Sequence, residues 1–352
     1  MPGRAYVPQA IVPLTPDQLH AVTGQLTSSY ATAEQRLVAL LSQGDITSWR
    51  RAFTEQQLSQ VNAIMQTLGE NTTAFARYWM PTLYDHGLSI ADGYLMQPEW
   101  VEPYKALRAQ GMSHMQAVGE INKLSGDVAP GGRSVAAHPG QVTPMDLRFT
   151  RLHDDAVAQL AENLVRPLGE ARNYAAQRIE DMVARAKRLG NNPAAWIRQT
   201  NIREASLKAM QQAYLDGMTP KQAAKLFRKE LADRGITSFV DKAGRPWNMK
   251  RYTEMVTNTV CQECERAALT NRLMERGDEF VKITDHAEEC DLCKPWEGKV
   301  LSLTGSTEGY QTLNDALDAG LFHPNCSHAA VPYIPEIENA RANYRARQEA
   351  AQ

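Results

Sequence analysis

Apolar positions recur at helical spacing through most of the chain. After a proline-punctuated start (MPGRAYVPQAIVPLTPDQL), Thr15-Pro16-Asp17 reads as a helix beginning, with Thr15 as N-cap and proline at the first helical position. Leu37, Leu40 and Leu41 share one helical face, and Leu58, Val61, Ile64, Met65 and Leu68 share another, with Gln43-Gly44-Asp45 as the break between them. A third helical segment covers 71–95 and ends near Gly93. Gln97-Pro98 and Glu102-Pro103 interrupt any longer helix, leaving two short ones within 104–124 around Gly111-Met112-Ser113. The stretch SGDVAPGGRSVAAHPGQVTP (125–144) is rich in Gly and Pro and poor in large apolar residues, so it reads as a linker, with His138 exposed in it.

Helical periodicity resumes over 145–189, where Leu152, Val157, Leu160, Leu164 and Val165 form an apolar face and Pro167 should kink or divide the helix. Gly190-Asn191-Asn192-Pro193 ends it. Helices over 193–216 and 220–233 follow, the first stopped by Gly217 and the second opened by Thr219-Pro220. At Gly235 the period changes to two. Ile236, Ser238 and Val240 alternate as in a strand, Asp241-Lys242-Ala243-Gly244 turns, and Arg245–Asn248 returns. A helix over 249–275, strands at 280–284 and 299–303, and a short helix over 310–319 complete the pattern. The fold class is mainly α with an α+β C-terminal domain, the N-terminal and middle regions being elongated. Its parts are a helical region over 1–124, a linker over 125–145, a helical arm over 146–234, a mixed domain over 235–335 and a polar tail over 336–352.

The chemistry-bearing residues crowd into that mixed domain. Cys290 and Cys293 form a C-x-x-C, and about thirty residues later His323, Cys326 and His328 follow in GLFHPNCSHAAVPY. Thiolates and imidazoles from two separated knuckles are what a tetrahedral Zn²⁺ takes, and a two-residue spacer lets both ligands of each half turn onto one ion. Pro324 favours a turn between His323 and Cys326. The expected set is Cys290, Cys293, His323 and Cys326 around a structural zinc, with His328 and His286 as substitutes. Cys261 and Cys264 share a helix face three residues apart, as small buried residues or as a second half-site. Trp247, Trp296, Phe322 and Tyr333 are expected to pack around the knuckle as core.

Three runs in this part of the chain carry a resemblance: GITSFVDKAGRPWNMKRYTEMVTNT (235–259), KPWEGKVLSLTG (294–305) and GLFHPNCSHAAVPY. They resemble bacteriophage minor capsid proteins of the MuF-type head-morphogenesis group, and within it the phage minor capsid protein 2 family. The likeness runs from Glu34 to Pro335, with its specificity concentrated toward the C-terminus, and Ala91-Asp92-Gly93-Tyr94 resembles a helix end common in these proteins. It departs at Asn258, where similar proteins carry arginine before threonine. Many such proteins lack the C-x-x-C, so a metal here would be a local staple. The resemblance implies a low-copy structural protein of the virion head, made in the host cytoplasm and located near the portal. It would contact portal, major capsid or scaffolding proteins, and assist head assembly and DNA packaging or delivery.

Charge adds one feature. The net charge of −2 hides a block at 182–251 with 15 basic and 5 acidic side chains, while 252–352 holds 9 and 17. Such a block suits packaged double-stranded DNA or an acidic partner, or else docks against the acidic C-terminal part. It lacks the interleaved aromatics of a single-strand platform. No run of eighteen apolar residues predicts a membrane span, and five cysteines with no signal-like start fit a reducing compartment. Nothing spells out an enzyme: there is no G-x-x-x-x-G-K-[ST], G-x-G-x-x-G or H-E-x-x-H. Asp285-His286 beside the cysteines is similar to zinc-stabilised histidine nucleases, but Asn325 and His328, the partners such a site would need, lie inside the knuckle. Glu263-Cys264-Glu265 offers an E-x-E on a predicted helix without a nicotinamide pocket. The alternative to a structural protein is thus a zinc-stabilised nuclease or toxin-like domain on a capsid-binding arm.

Overall fold

The computed structural model describes residues 12–41, 55–94, 98–124, 147–188, 239–240, 246–285, 290–335, 338–339 and 346. The element order is α1 (Pro16–Leu41), α2 (Glu55–Gly93), α3 (Pro98–Ala109), α4 (His114–Leu124), α5 (Leu147–Arg188), β1 (Phe239–Val240), β2 (Pro246–Trp247), α6 (Met249–Arg276), β3 (Phe280–Ile283), β4 (Val300–Ser302), α7 (Leu313–Asp318) and β5 (Ala330–Pro332). The protein is mostly helical with a small three-stranded C-terminal sheet. No helix among the described residues is long and apolar enough to cross a membrane. The chain divides into two compact units, one of Met1–His20, Tyr78–Ala161 and Asn258–Gln352, the other of Ala21–Arg77 and Glu162–Thr257.

In the second unit, burial follows the helical period. Leu26, Tyr30, Ala33 and Leu37 of α1 are buried, as are Val61, Met65, Leu68 and Thr72 of α2, and Leu164, Leu168, Ala171, Ala175 and Ile179 of α5. The Tyr30 hydroxyl finds Thr72 Oγ1 at 2.9 Å, which satisfies two polar atoms inside the apolar layer. The end of the Arg172 side chain lies over Gly69, where a Cβ would meet its Nη1 at 2.0 Å and displace it. The short hairpin also falls in this unit, with Phe239 opposite Trp247 and Val240 opposite Pro246. Of the expected core residues, the Trp247 side chain lies outside the described residues, as does that of Leu152.

Three sequence expectations need correction. The segments 58–68 and 71–95 are one helix of 39 residues that runs through Pro81. Buried Met80, Leu83 and Tyr84 bracket the proline, so packing outweighs the loss of one ladder hydrogen bond. Pro167 likewise neither ends nor divides α5, where buried Leu164 and Leu168 flank it. The first short helix begins at Pro98 rather than after Pro103, because proline is well placed in a first turn. The α1 start is as expected: Thr15 Oγ1 accepts from the Gln18 amide at 3.3 Å and Gln18 Oε1 accepts from the Thr15 amide at 2.9 Å, a capping box. The break at 43–45, the linker at 125–145 and the helices at 193–216 and 220–233 lie outside the described residues.

The first unit contains two polar clusters. One centres on Asp92, which is 1% exposed at the end of α2. Its carboxylate accepts from Arg272 Nε and Nη2 at 2.9 and 2.8 Å, from Arg276 Nη1 at 2.7 Å and from His114 Nε2 at 2.8 Å. His114 Nδ1 meets the Tyr104 hydroxyl at 2.9 Å, so α2, α3, α4 and α6 are joined through one buried carboxylate. Burial alone would push the Asp92 carboxyl up. Arg272, His114 and Arg276 outweigh it and hold the group well below its ordinary value. The helices close tightly nearby, where a Cβ on Gly87 would lie 2.2 Å from the Glu265 carbonyl oxygen and 2.7 Å from Ala268 Cβ.

The C-terminal layer follows α6. A Schellman end closes that helix: Gly277 has φ 79°, its amide donates to the Met274 carbonyl, and the Asp278 amide donates to the Leu273 carbonyl. In the sheet β3 lies between β4 and β5, antiparallel to both. Val281 and Ile283 point inward from β3, and Val281 pairs with Leu301 on one side and Pro332 on the other. Pro332 is tolerated because β5 is an edge strand. Beneath the sheet, Leu269 and Leu273 of α6, Ile90 and Ala91 of α2, and Leu313 and Ala316 of α7 complete one core with Trp296, Leu321 and Phe322. Trp296 and Phe322 are therefore core as expected, while Tyr333 is only half-buried.

Candidate metal centre

Two turns deliver the sulfur and nitrogen atoms. At the first, the Cys293 and Lys294 amides donate to the Cys290 carbonyl at 3.1 and 2.8 Å, and the chain passes into a 3₁₀ turn at Lys294–Trp296. Gly298, with φ 70°, then reverses it toward β4, and its amide donates to the Ile283 carbonyl at 3.1 Å. At the second turn, the Cys326 amide donates to the His323 carbonyl at 2.9 Å across Pro324-Asn325. Asn325 has φ 63°, and proline followed by a residue of positive φ is the sequence of a type II turn. Phe322 just before it also has a positive φ, 60°, rare for an aromatic residue, and its ring lies under the Arg266 guanidinium at 4.2 Å.

These turns bring together all four residues singled out by spacing. Cys290 Sγ lies 2.9 Å from His323 Nε2, and Cys293 Sγ lies 3.4 Å from Cys326 Sγ. His328 joins them, its Nδ1 3.4 Å from Cys326 Sγ and its Nε2 2.7 Å from Glu297 Oε1. The donor atoms form two groups of three that share Cys293: Cys290, Cys293 and His323, and Cys293, Cys326 and His328, each within 4.8 Å of one another. Cys293, Cys326 and His328 are buried, whereas Cys290 and His323 are half-buried. His286 lies outside the described residues.

The two thiols of the C-x-x-C have opposite character. The Cys293 amide beside the Cys290 sulfur pulls that thiol down to about 7, and His323 and the Leu292 amide pull the same way against burial. Burial pushes the Cys293 thiol up to about 12, with Cys326 adding to the rise against the Phe322 amide. Burial also tends to lower the pKa of His323, but its contacts with the Pro324 carbonyl and Cys290 raise it overall. Cys261 and Cys264 are elsewhere, fully buried on α6, where the Cys264 thiol donates to the Met80 carbonyl at 3.2 Å. Burial raises both thiols, that of Cys264 to about 12, and neither belongs to a metal-capable group among the described residues. Sequence spacing singled out Cys290, Cys293, His323 and Cys326, which the two turns bring near one another. The Glu297–His328 pair was not found by it, and its only trace in the sequence is that both residues flank knuckle cysteines.

Fold and site together define a helical protein whose small mixed C-terminal layer is folded around a Cys/His knuckle. The profile of the family described as phage minor capsid protein 2 matches residues 154–352, more than half of the chain, and the chain belongs to that family. It is thus a structural protein of the phage particle. No curated protein and no solved structure matches it.

Proposed function

We propose that this protein is a low-copy component of the phage head, bound near the portal, where it assists head assembly and the packaging or delivery of DNA. The family match carries this reading. Its work is binding: long amphipathic helices offer faces to portal, scaffolding or major capsid proteins, and the basic stretch at 182–251 offers phosphate contacts. The knuckle keeps the small C-terminal layer in one shape by holding one zinc ion through Cys290, Cys293, Cys326 and a histidine. In so small a sheet, metal binding would add directly to folding free energy. Zinc would supply a fixed tetrahedral cross-link there and no reaction.

The test is to produce heads from the phage's own portal, scaffolding and major capsid proteins with and without this chain, and to measure its copy number in purified particles by quantitative mass spectrometry. A few copies per head, lost when portal is omitted, is the expected result. Particles that exclude the protein, or heads that contain it at the abundance of the major capsid protein, would overturn the reading. Duplex DNA binding that weakens steeply between 50 and 200 mM salt would support the DNA contact, and absence of binding at low salt would remove it.

A further inference from the structure

We propose that His328, held by Glu297, is the nitrogen ligand of the metal centre, and that His323 is an outer partner of Cys290. This rests on the zinc reading above and specifies it. Glu297 Oε1 lies 2.7 Å from His328 Nε2, and a carboxylate can only accept, so Nε2 carries the proton and Nδ1 of the neutral ring presents its lone pair to Cys326 Sγ. Carboxylate–histidine pairs of this kind fix tautomer and ring orientation at metal sites. His323 has no carboxylate partner among the described residues: its Nδ1 lies 2.9 Å from the carbonyl of its neighbour Pro324 and its Nε2 lies 2.9 Å from Cys290 Sγ.

Distances separate the two rings further. Zn–S near 2.3 Å and Zn–N near 2.0–2.1 Å make tetrahedral ligand-to-ligand edges of roughly 3.5–3.8 Å. The Cys293–Cys326 and Cys326–His328 separations are both 3.4 Å, close to those edges. The Cys290–His323 separation is 2.9 Å, a direct hydrogen bond between thiol and imidazole. Burial agrees: Cys293, Cys326 and His328 are 0%, 3% and 4% exposed, as a closed structural site requires. The Cys-x-His spacing also suits it, since the His328 amide lies 3.4 Å from Cys326 Sγ and holds the two residues on one side of the turn. Cys290, grouped with Cys293 and His323, would supply the fourth ligand by turning its sulfur toward the other three, with backbone amides and His323 supporting it from outside.

Burial argues against the rival use of the same atoms. A sulfur, imidazole and carboxylate in line resemble a nucleophile with its base, but Cys326 has almost no surface through which a substrate could reach it.

The experiment uses the full chain, with zinc content by elemental analysis, zinc affinity by chelator competition, and the absorption spectrum of the cobalt-substituted protein. Wild type should hold one zinc per chain. His328→Ala should lower affinity by at least 100-fold, His323→Ala by no more than a few-fold, and Glu297→Gln by about 10- to 100-fold. His328→Cys should restore zinc and strengthen the sulfur-to-cobalt charge-transfer band, which separates loss of a ligand from loss of fold. Full zinc retention in His328→Ala with loss in His323→Ala would overturn the assignment while leaving the zinc reading standing. Wild-type protein without zinc would overturn the zinc reading itself.

Discussion

Two polar clusters of the first unit, one around Asp92 and one around Cys293, are built on opposite principles. Around Asp92 every acceptor faces a donor: two guanidinium groups and an imidazole converge on one carboxylate, and Tyr104 takes the other imidazole nitrogen. Around Cys293 sulfur and ring-nitrogen atoms gather instead, in two groups of three that share its thiol: Cys290 and His323 on one side, Cys326 and His328 on the other. The first cluster is complete as a hydrogen-bonded network, and its stability follows from its own charges. On the zinc proposal, the second would gain its full cohesion from a cation. Burial of polar atoms therefore has two meanings in this protein, and the direction of donors and acceptors tells them apart.

The sharpest way to break the comparison is to remove the shared carboxylate. Asp92→Ala removes the carboxylate that Arg272 and Arg276 share and leaves each with one other acidic partner, Glu275 and Asp278, which should cost about 3 kcal/mol in denaturant unfolding. Zinc content per folded molecule should not change. Zinc lost from the folded variant would mean that the clusters are one system.

Acid sharpens the same contrast. The folded-state pKa of Asp92 lies well below the ordinary 3.8. Its contribution is therefore fully present above the unfolded value of about 3.9 and is lost as pH falls through the folded value. Below about pH 4, wild type should lose stability more steeply than Asp92→Asn. Parallel unfolding curves for the two proteins from pH 5 to pH 2 would show that the carboxylate is not the group responsible.

Packing around the first cluster comes next in size. At Gly87 any side chain meets backbone, the Glu265 carbonyl oxygen, so Gly87→Ala should cost about 1–3 kcal/mol by overpacking. Hydrogen exchange should show the loosening at the α2–α6 contact before it appears at the sheet. The smallest effect belongs to the knuckle side. Thr312 accepts from the Asp315 amide at 3.0 Å and Asp315 returns a bond to the Thr312 amide at 3.1 Å, capping α7. Thr312→Ala should cost about 1 kcal/mol, read as a modest fall in Tm with zinc retained.

Much of this was legible in the sequence wherever the signal was local. Thr15-Pro16-Asp17 and the 3–4 spacing of Val61, Met65 and Leu68 mark helices by themselves. The Cys290/Cys293 and His323/Cys326 spacers mark two turns, and the structure brings those four residues near one another. What could not be read depends on distant partners. Pro167 looked like a break because the sequence does not show the packing that carries the helix past it. β5 escaped notice because Ala330-Val331-Pro332 is short, contains proline and gains its strand geometry only by pairing with β3. Asp92 and Arg272 stand 180 residues apart, and no periodicity connects them. Glu297 and His328 are separated by 31 residues, so the pair becomes visible only after both knuckles have formed.

X-ray absorption at the zinc edge on the purified full chain is the most direct test of the contrast between a completed network and a cation-dependent one. The account predicts one zinc per chain in a four-coordinate shell of three sulfurs near 2.3 Å and one imidazole nitrogen near 2.0–2.1 Å. A chain without bound metal, or a shell made mainly of oxygen, would contradict it.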